Sequence, residues 1–160
     1  EAQLDRFLLK LQVPFPNISD LVRIGIETTT GTTPPITPIL DKAAVLRLQQ
    51  LAREVVVSPD IAQLCARLVL ATHPDQPSAT DAVRRFVRYG ASPRAMQALL
   101  LASRAAALLD GRPWVTTDDI KDVARPVLRH RIFPGLEAEL EGVTAEELVT
   151  SALHSLGELR

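Results

Sequence analysis

The sequence predicts an all-α helical bundle carrying one β-strand at its N-terminal end. Three observations lead there. Hydrophobic residues make up 46% of the 160 and aromatics only 4%, a Leu-, Val- and Ala-rich blend that suits packed helices better than a β-sandwich. From residue 41 onward the apolar positions recur at helical spacing, with caps and prolines at the expected starts. Strict apolar alternation occurs in a single place, near the N-terminus. A chain of this length suits one main domain with a sizeable core.

In order, residues 7–15, "FLLKLQVPF", place Phe7, Leu9, Leu11, Val13 and Phe15 on one side, the mark of a half-buried strand. A lone strand cannot satisfy its backbone or bury its apolar face, so its partner strands are expected upstream. Without them the segment should be disordered, folded back or paired with another copy. The chain, which begins at Glu1 and not at methionine, is expected to be the C-terminal part of something larger. After Pro16 a helix is predicted from Asn17 or Ser19 to about Thr28. "TTTGTTPPITP", residues 28–38, is a connector with no core-forming pattern.

Ala44, Leu48, Leu51 and Val55 form one apolar stripe, predicting a helix from Asp41 to about Arg53. Ser58-Pro59 restarts a helix as N-cap and first-turn proline, ending near Thr72-His73-Pro74. Residues 73–82 read as a polar loop. The helix from Pro93 to about Asp110 is apolar nearly all round and should sit at the centre of the bundle, stopped by Gly111. Thr116 and Asp119 stand at capping-box spacing before a further helix, in which Pro126 predicts a kink or restart. A last helix starts at Thr144, with acids in its first turn where the dipole favours them.

Eighteen basic and nineteen acidic residues leave a net charge of −1, so no global field points to nucleic acid or membrane. Arginines cluster at Arg84, Arg85, Arg88 and Arg94, and again at Arg125, Arg129 and Arg131. Solvated helix faces explain such clusters, and so would recruitment of an acidic partner. The single cysteine, Cys65, lies on an apolar helix face and reads as core. It excludes an internal disulfide framework, and no apolar run is long enough to span a membrane; a cytoplasmic location is the default expectation. His73, His130 and His154 lack metal-ligand spacing, and no metal site is expected.

"YGASPRA", residues 89–95, is a helix-start device: Gly90 permits an unusual backbone angle, Ser92 caps and Pro93 presets the first turn. Arg94 then stands at the positive end of a helix dipole, where a cation is mildly disfavoured unless an anion faces it. Amides at a helix start bind anions and an arginine adds a bidentate clamp, so the motif suits a phosphate; a solvated arginine is the competing reading. In "EAQLDRF", residues 1–7, Asp5-Arg6 reads locally as a surface ion pair. No phosphate-binding loop, dinucleotide fingerprint or nucleophile elbow is present, so the chain alone should not be catalytic.

Taken together, "EAQLDRF" at 1–7, "YGASPRA" at 89–95, "DGRPWVTTDDI" at 110–120 and "VLRHRI" at 127–132 resemble the MoxR family of AAA+ ATPases in order and spacing. The resemblance implies that residues 1–15 end the α/β nucleotide-binding core and include its last strand. It makes 16–38 the first lid helix and connector, and 39–160 the helical lid bundle. By the same resemblance Arg94, with Ser92 and Pro93, is the sensor 2 element reaching the γ-phosphate of ATP bound in its own subunit. Arg6 is the arginine finger reaching a neighbouring subunit's nucleotide. Both roles place cations on the charge that spreads over phosphate oxygens during transfer.

The resemblance further implies ATP and Mg²⁺ as cofactors of the whole protein, with the phosphate-binding loop, Mg²⁺-binding acids and sensor 1 upstream. It implies a ring, expected to be a hexamer, a chaperone-like action on a client protein, and a partner with a von Willebrand factor A domain. The connector at 28–38 departs from the family pattern. An alternative function is a helical interaction module using Arg84, Arg85 and Arg88; near-zero net charge and the lack of interleaved aromatics weigh against nucleic acid.

Overall fold

The structure, a computed structural model, describes residues 3–31 and 35–157. Leu4–Arg6 forms one 3₁₀ turn, and among the described residues the chain then builds eight α-helices and one two-stranded ribbon. The helices are α1 (Ile18–Thr29), α2 (Lys42–Glu54), α3 (Pro59–Ala71), α4 (Asp81–Phe86), α5 (Pro93–Leu109), α6 (Thr117–Leu128), α7 (Leu136–Glu141) and α8 (Ala145–Ser155). Strand β1 (Val87–Tyr89) pairs antiparallel with β2 (Phe133–Pro134), Val87 opposite Pro134 and Tyr89 opposite Phe133.

Local chemistry sets most helix starts. Asn17, Asp41, Ser58, Thr80, Ser92, Thr116 and Thr144 each accept a backbone N–H from the first turn that follows, satisfying donors that have no partner inside the helix. Thr116 with Asp119 and Thr144 with Glu147 complete reciprocal capping boxes. Gly111 and Gly142 stand just past α5 and α7 at φ 71° and 72°, the left-handed angle a helix-ending glycine supplies. Pro126 does not restart its helix: α6 runs through it to Leu128. Pro126 has no N–H to donate to the preceding turn, and its carbonyl, near the helix end, accepts the Lys10 N–H at 2.8 Å.

The core lies between α3, α4, α5, α6 and α8, where Leu68, Val83, Leu99, Ile120, Leu128 and Leu148 are fully buried. Helix α5 packs on α6, α3 and α2, and is central as its sequence predicts. It is not buried all round: Leu101 and Leu109 face solvent.

Three expectations are corrected. Residues 7–15 form no strand; Phe7, Leu11, Val13 and Phe15 are all exposed, and among the described residues no strand pairs with the segment to take its backbone groups. The segment is folded back on the end of α6 instead. The α2 stripe is buried only at Val55, while Leu48 and Leu51 are exposed. Finally, α4, α7 and the β1–β2 ribbon were not anticipated: each is six residues or fewer, too short for a periodic signal.

Candidate functional site

The start of α5 is held by the end of α3. The Ala91 N–H donates to Thr72 Oγ1 at 2.9 Å, and His73 Nε2 lies 2.9 Å from the Ala91 carbonyl. These bonds bring the two loops so close that a Cβ on Gly90 would meet the His73 ring at 2.6 Å and the Thr72 carbonyl oxygen at 2.8 Å. Gly90 is therefore required for space. The unusual backbone angle expected of it is absent, since the positive-φ glycines are Gly31, Gly111, Gly142 and Gly157.

Ser92 accepts the Arg94 N–H at 3.2 Å and its hydroxyl donates to the Asp5 carboxylate at 3.0 and 2.8 Å. Pro93 opens the helix, as expected. Arg94 Nη1 approaches Asp5 Oδ2 at 3.4 Å with its side chain 57% exposed. In this structure the anion that faces the α5 dipole and Arg94 is thus Asp5. Burial alone would raise the Asp5 carboxyl, but hydrogen bonds from Ser92 and Arg94, with Arg131 beside it, hold it below the ordinary carboxylate range.

Asp5 is reached from the other side by Arg131, whose side chain is 2% exposed. Its Nε donates to Asp5 Oδ1 at 3.1 Å, and its Nη2 donates to the carbonyls of Asp5 and Phe7 at 3.0 and 2.6 Å. Nη1 donates to the Leu8 carbonyl at 3.2 Å and also to that of Val127. Burial lowers the Arg131 pKa against the opposing pull of Asp5, yet a guanidinium remains charged. His130 Nε2 lies 3.0 Å from the Phe7 carbonyl, which makes that nitrogen the protonated one. Desolvation, with Arg131 and Lys10 nearby, lowers the His130 pKa.

Sequence reasoning missed Asp5 and Arg131 as site residues. The signal was faint: Arg131 stands four positions after Val127 and three after Leu128, on the apolar face of the preceding helix.

Arg6 is exposed and has no side-chain partner among the described residues. It lines one hollow of about 260 Å³ with Arg94, Gln97 and Arg131, floored by Leu8, Ala98 and Leu101 and bordered by Asp5. The structure therefore brings both sequence-predicted arginines to one cavity. Their charge and the exposure of Arg94 fit the terminal phosphates of a nucleotide. Asp5, the acid bordering the hollow, is engaged by Ser92, Arg94 and Arg131.

The cluster of Arg84, Arg85 and Arg88 is otherwise engaged. Arg85 pairs with Glu137 and Glu141 at 2.6 and 2.5 Å, Arg84 donates to the carbonyls of Gln76 and Pro77, and Arg88 lies over the Tyr89 ring. The acids of α7 thus neutralise Arg85, one of the three charges of the cluster. Cys65 is fully buried and its thiol is pushed up to about 12 by desolvation. Among the described residues no group of His, Cys, Asp or Glu could hold a metal, and no helix is long and apolar enough to cross a membrane.

Residues 79–152, which run from the loop before α4 into α8, match the AAA lid domain. Over 98% of its length the chain is 32% identical to Chaperone MoxR1 of Mycobacterium tuberculosis. The chain belongs to the MoxR family of AAA+ ATPases. A second relative, the YeaC protein of Bacillus subtilis, is 32% identical over 98% of the chain. The MoxR protein of Paracoccus denitrificans is 46% identical over 61 residues, 37% of this chain and 18% of its own length. The crystal structure of a proposed ATPase from Cytophaga hutchinsonii superposes with a TM-score of 0.86 at 29% identity, covering 96% of this chain and 47% of that one. The chain spans 41% of Chaperone MoxR1 and 46% of YeaC. Its α-helical body is the lid of a MoxR-type ATPase.

Proposed function

We propose that this MoxR lid senses the terminal phosphate of ATP through Arg94 and lends Arg6 to a neighbouring subunit's nucleotide, coupling hydrolysis to remodelling of a client protein. The observation that carries this reading is the exposed Arg94 guanidinium at the start of α5, loosely held by Asp5 and therefore free to turn to a phosphate. ATP with Mg²⁺, when bound by the preceding core, supplies the phosphoanhydride and the metal charge. Ser92 and Pro93 fix the first turn of α5 so that the Arg94 side chain leaves the helix into the hollow. Arg94 can exchange a weak contact with Asp5 for bidentate bonds to phosphate oxygens.

In this reading residues 1–15 close the α/β core, 16–38 lead into the lid, and 39–160 form it. A rigid tilt of the helical body between nucleotide states would transmit the chemistry to a client. The proposed setting is a hexameric ring in the cytoplasm, working with a protein that carries a von Willebrand factor A domain; the name Chaperone MoxR1 supports the client role.

The test uses the full-length ATPase. Arg94→Ala should lower hydrolysis by about a hundredfold, and wild-type turnover would remove the sensor role. For Arg6, Arg6→Ala subunits are mixed with subunits disabled in their own phosphate-binding loop. Activity that depends on the arrangement of the two kinds supports a finger acting between subunits, and indifference to arrangement rejects it. A salt-sensitive shift of labelled DNA or RNA, lost on alanine substitution of Arg84, Arg85 and Arg88, would instead favour an interaction module.

A further inference from the structure

We propose that Asp5 and Arg131 form a positioning clamp that fixes the segment bearing Arg6 against the start of the helix bearing Arg94, so that the two arginines keep one relative geometry. The proposal rests on the reading of Arg6 and Arg94 as phosphate-facing residues and adds how they are held.

The guanidinium of Arg131 spends its donors on both sides of Arg6. It binds the carboxylate and carbonyl of Asp5 before it and the carbonyls of Phe7 and Leu8 after it. These bonds leave the Arg6 side chain itself unengaged among the described residues, while its backbone is fixed from a buried point on the end of α6. A fourth carbonyl, that of Val127, ties the same guanidinium back to the helix. Five donors in a rigid plane satisfy this set in one orientation, and a lysine ammonium offers three donors at a single point.

Asp5 completes the link. Its Oδ1 accepts from Arg131 and Ser92, and its Oδ2 accepts from Ser92 and Arg94. The hydroxyl of Ser92, which caps α5, therefore joins the Arg6 segment to the N-terminus of the Arg94 helix without using Arg94. Arg94 is free to leave Asp5 for a phosphate while the Asp5–Ser92 bond keeps the two elements in register. Positioned groups lose large rate factors when displaced by about an ångström, so a residue that never touches nucleotide can govern turnover through Arg6.

The experiment uses the full-length ATPase with Asp5→Asn, and Arg131→Lys as a second variant, each first checked for an unchanged helical signal. Hydrogen exchange reads the clamp directly. In Asp5→Asn the amides of Phe7 and Lys10, which donate to Leu4 and Pro126, should exchange about tenfold faster while the interior of α5 is unchanged. Arg131→Lys should do the same. Unchanged exchange at residues 5–10 in both variants overturns the clamp.

Turnover reads its consequence. Asp5→Asn should lower kcat about tenfold with KM within about twofold, and adding it to Arg6→Ala should slow that variant no further, because residues acting as a unit are not additive. A full further tenfold loss on top of Arg6→Ala overturns positioning through Arg6. Wild-type turnover of Arg6→Ala alone would instead sink the finger reading and leave the exchange result to judge the clamp.

Discussion

Arg131 Nε and Asp5 Oδ1 meet at 3.1 Å across 126 positions of sequence, and the bond closes the end of α6 onto the first turn of the chain. Truncating Arg131 would leave Asp5, with a side chain only 16% exposed, facing Ser92 and Arg94 without its buried partner. It would also strip donors from the carbonyls of Phe7 and Leu8. Arg131→Ala is expected to cost about 3 kcal/mol of stability, read as a lower urea midpoint at pH 7. A midpoint equal to wild type would show that the pair adds nothing net.

A second ion pair predicts an acid-labile component. Arg112, with the Thr116 backbone and hydroxyl, holds the Asp119 carboxyl down to about 2 against the opposing effect of burial. Arg112 Nη2 reaches its Oδ1 at 2.5 Å while the Asp119 side chain is 4% exposed. The unfolded chain binds the proton more tightly, so this contribution is fully present above about pH 4 and fades as pH falls toward 2. Its size is on the order of 2 kcal/mol. Urea unfolding at pH 7, 4 and 2.5 should show the loss, and Asp119→Asn should flatten that part of the profile. A mutant profile with the wild-type slope would reject this assignment.

Gly90→Ala places a methyl 2.6 Å from the His73 ring and 2.8 Å from the Thr72 carbonyl. Overpacking of this kind costs about 1–3 kcal/mol. The thermal midpoint should fall, and His73→Ala in the same chain should restore only part of the loss, because the Thr72 carbonyl is backbone and cannot move aside. Full restoration would mean that the ring alone forbids the side chain.

Cys65 is the single cysteine and is fully buried, with its thiol pushed up to about 12. An aromatic disulfide reagent at pH 8 should leave the folded protein unlabelled and titrate one thiol in denaturant, since the thiolate is the nucleophile. Rapid labelling of the native protein would place this residue outside the core.

Helix starts were legible because caps are local. Asn17, Asp41, Ser58, Ser92, Thr116 and Thr144 each bind an amide at most three residues ahead, so a short stretch of sequence contains both partners. The motif around Arg94 was legible for the same reason, and with it the family. Gly90 was marked by its neighbours, but the reason for it lies in His73 and Thr72, on a different helix end.

The sequence by itself determined the helical class and the main helix boundaries, since these follow from periodicity and nearest-neighbour chemistry, and its resemblance to a family marked the two arginines that line the hollow. Tertiary structure alone decided that residues 7–15 fold back without forming a strand, that Arg85 is paired by Glu137 and Glu141 of α7, and that Asp5 faces both Arg94 and Arg131. Those outcomes depend on which distant groups share a low-dielectric space, and the strength of a charge pair is set by that burial and geometry, which no local pattern encodes.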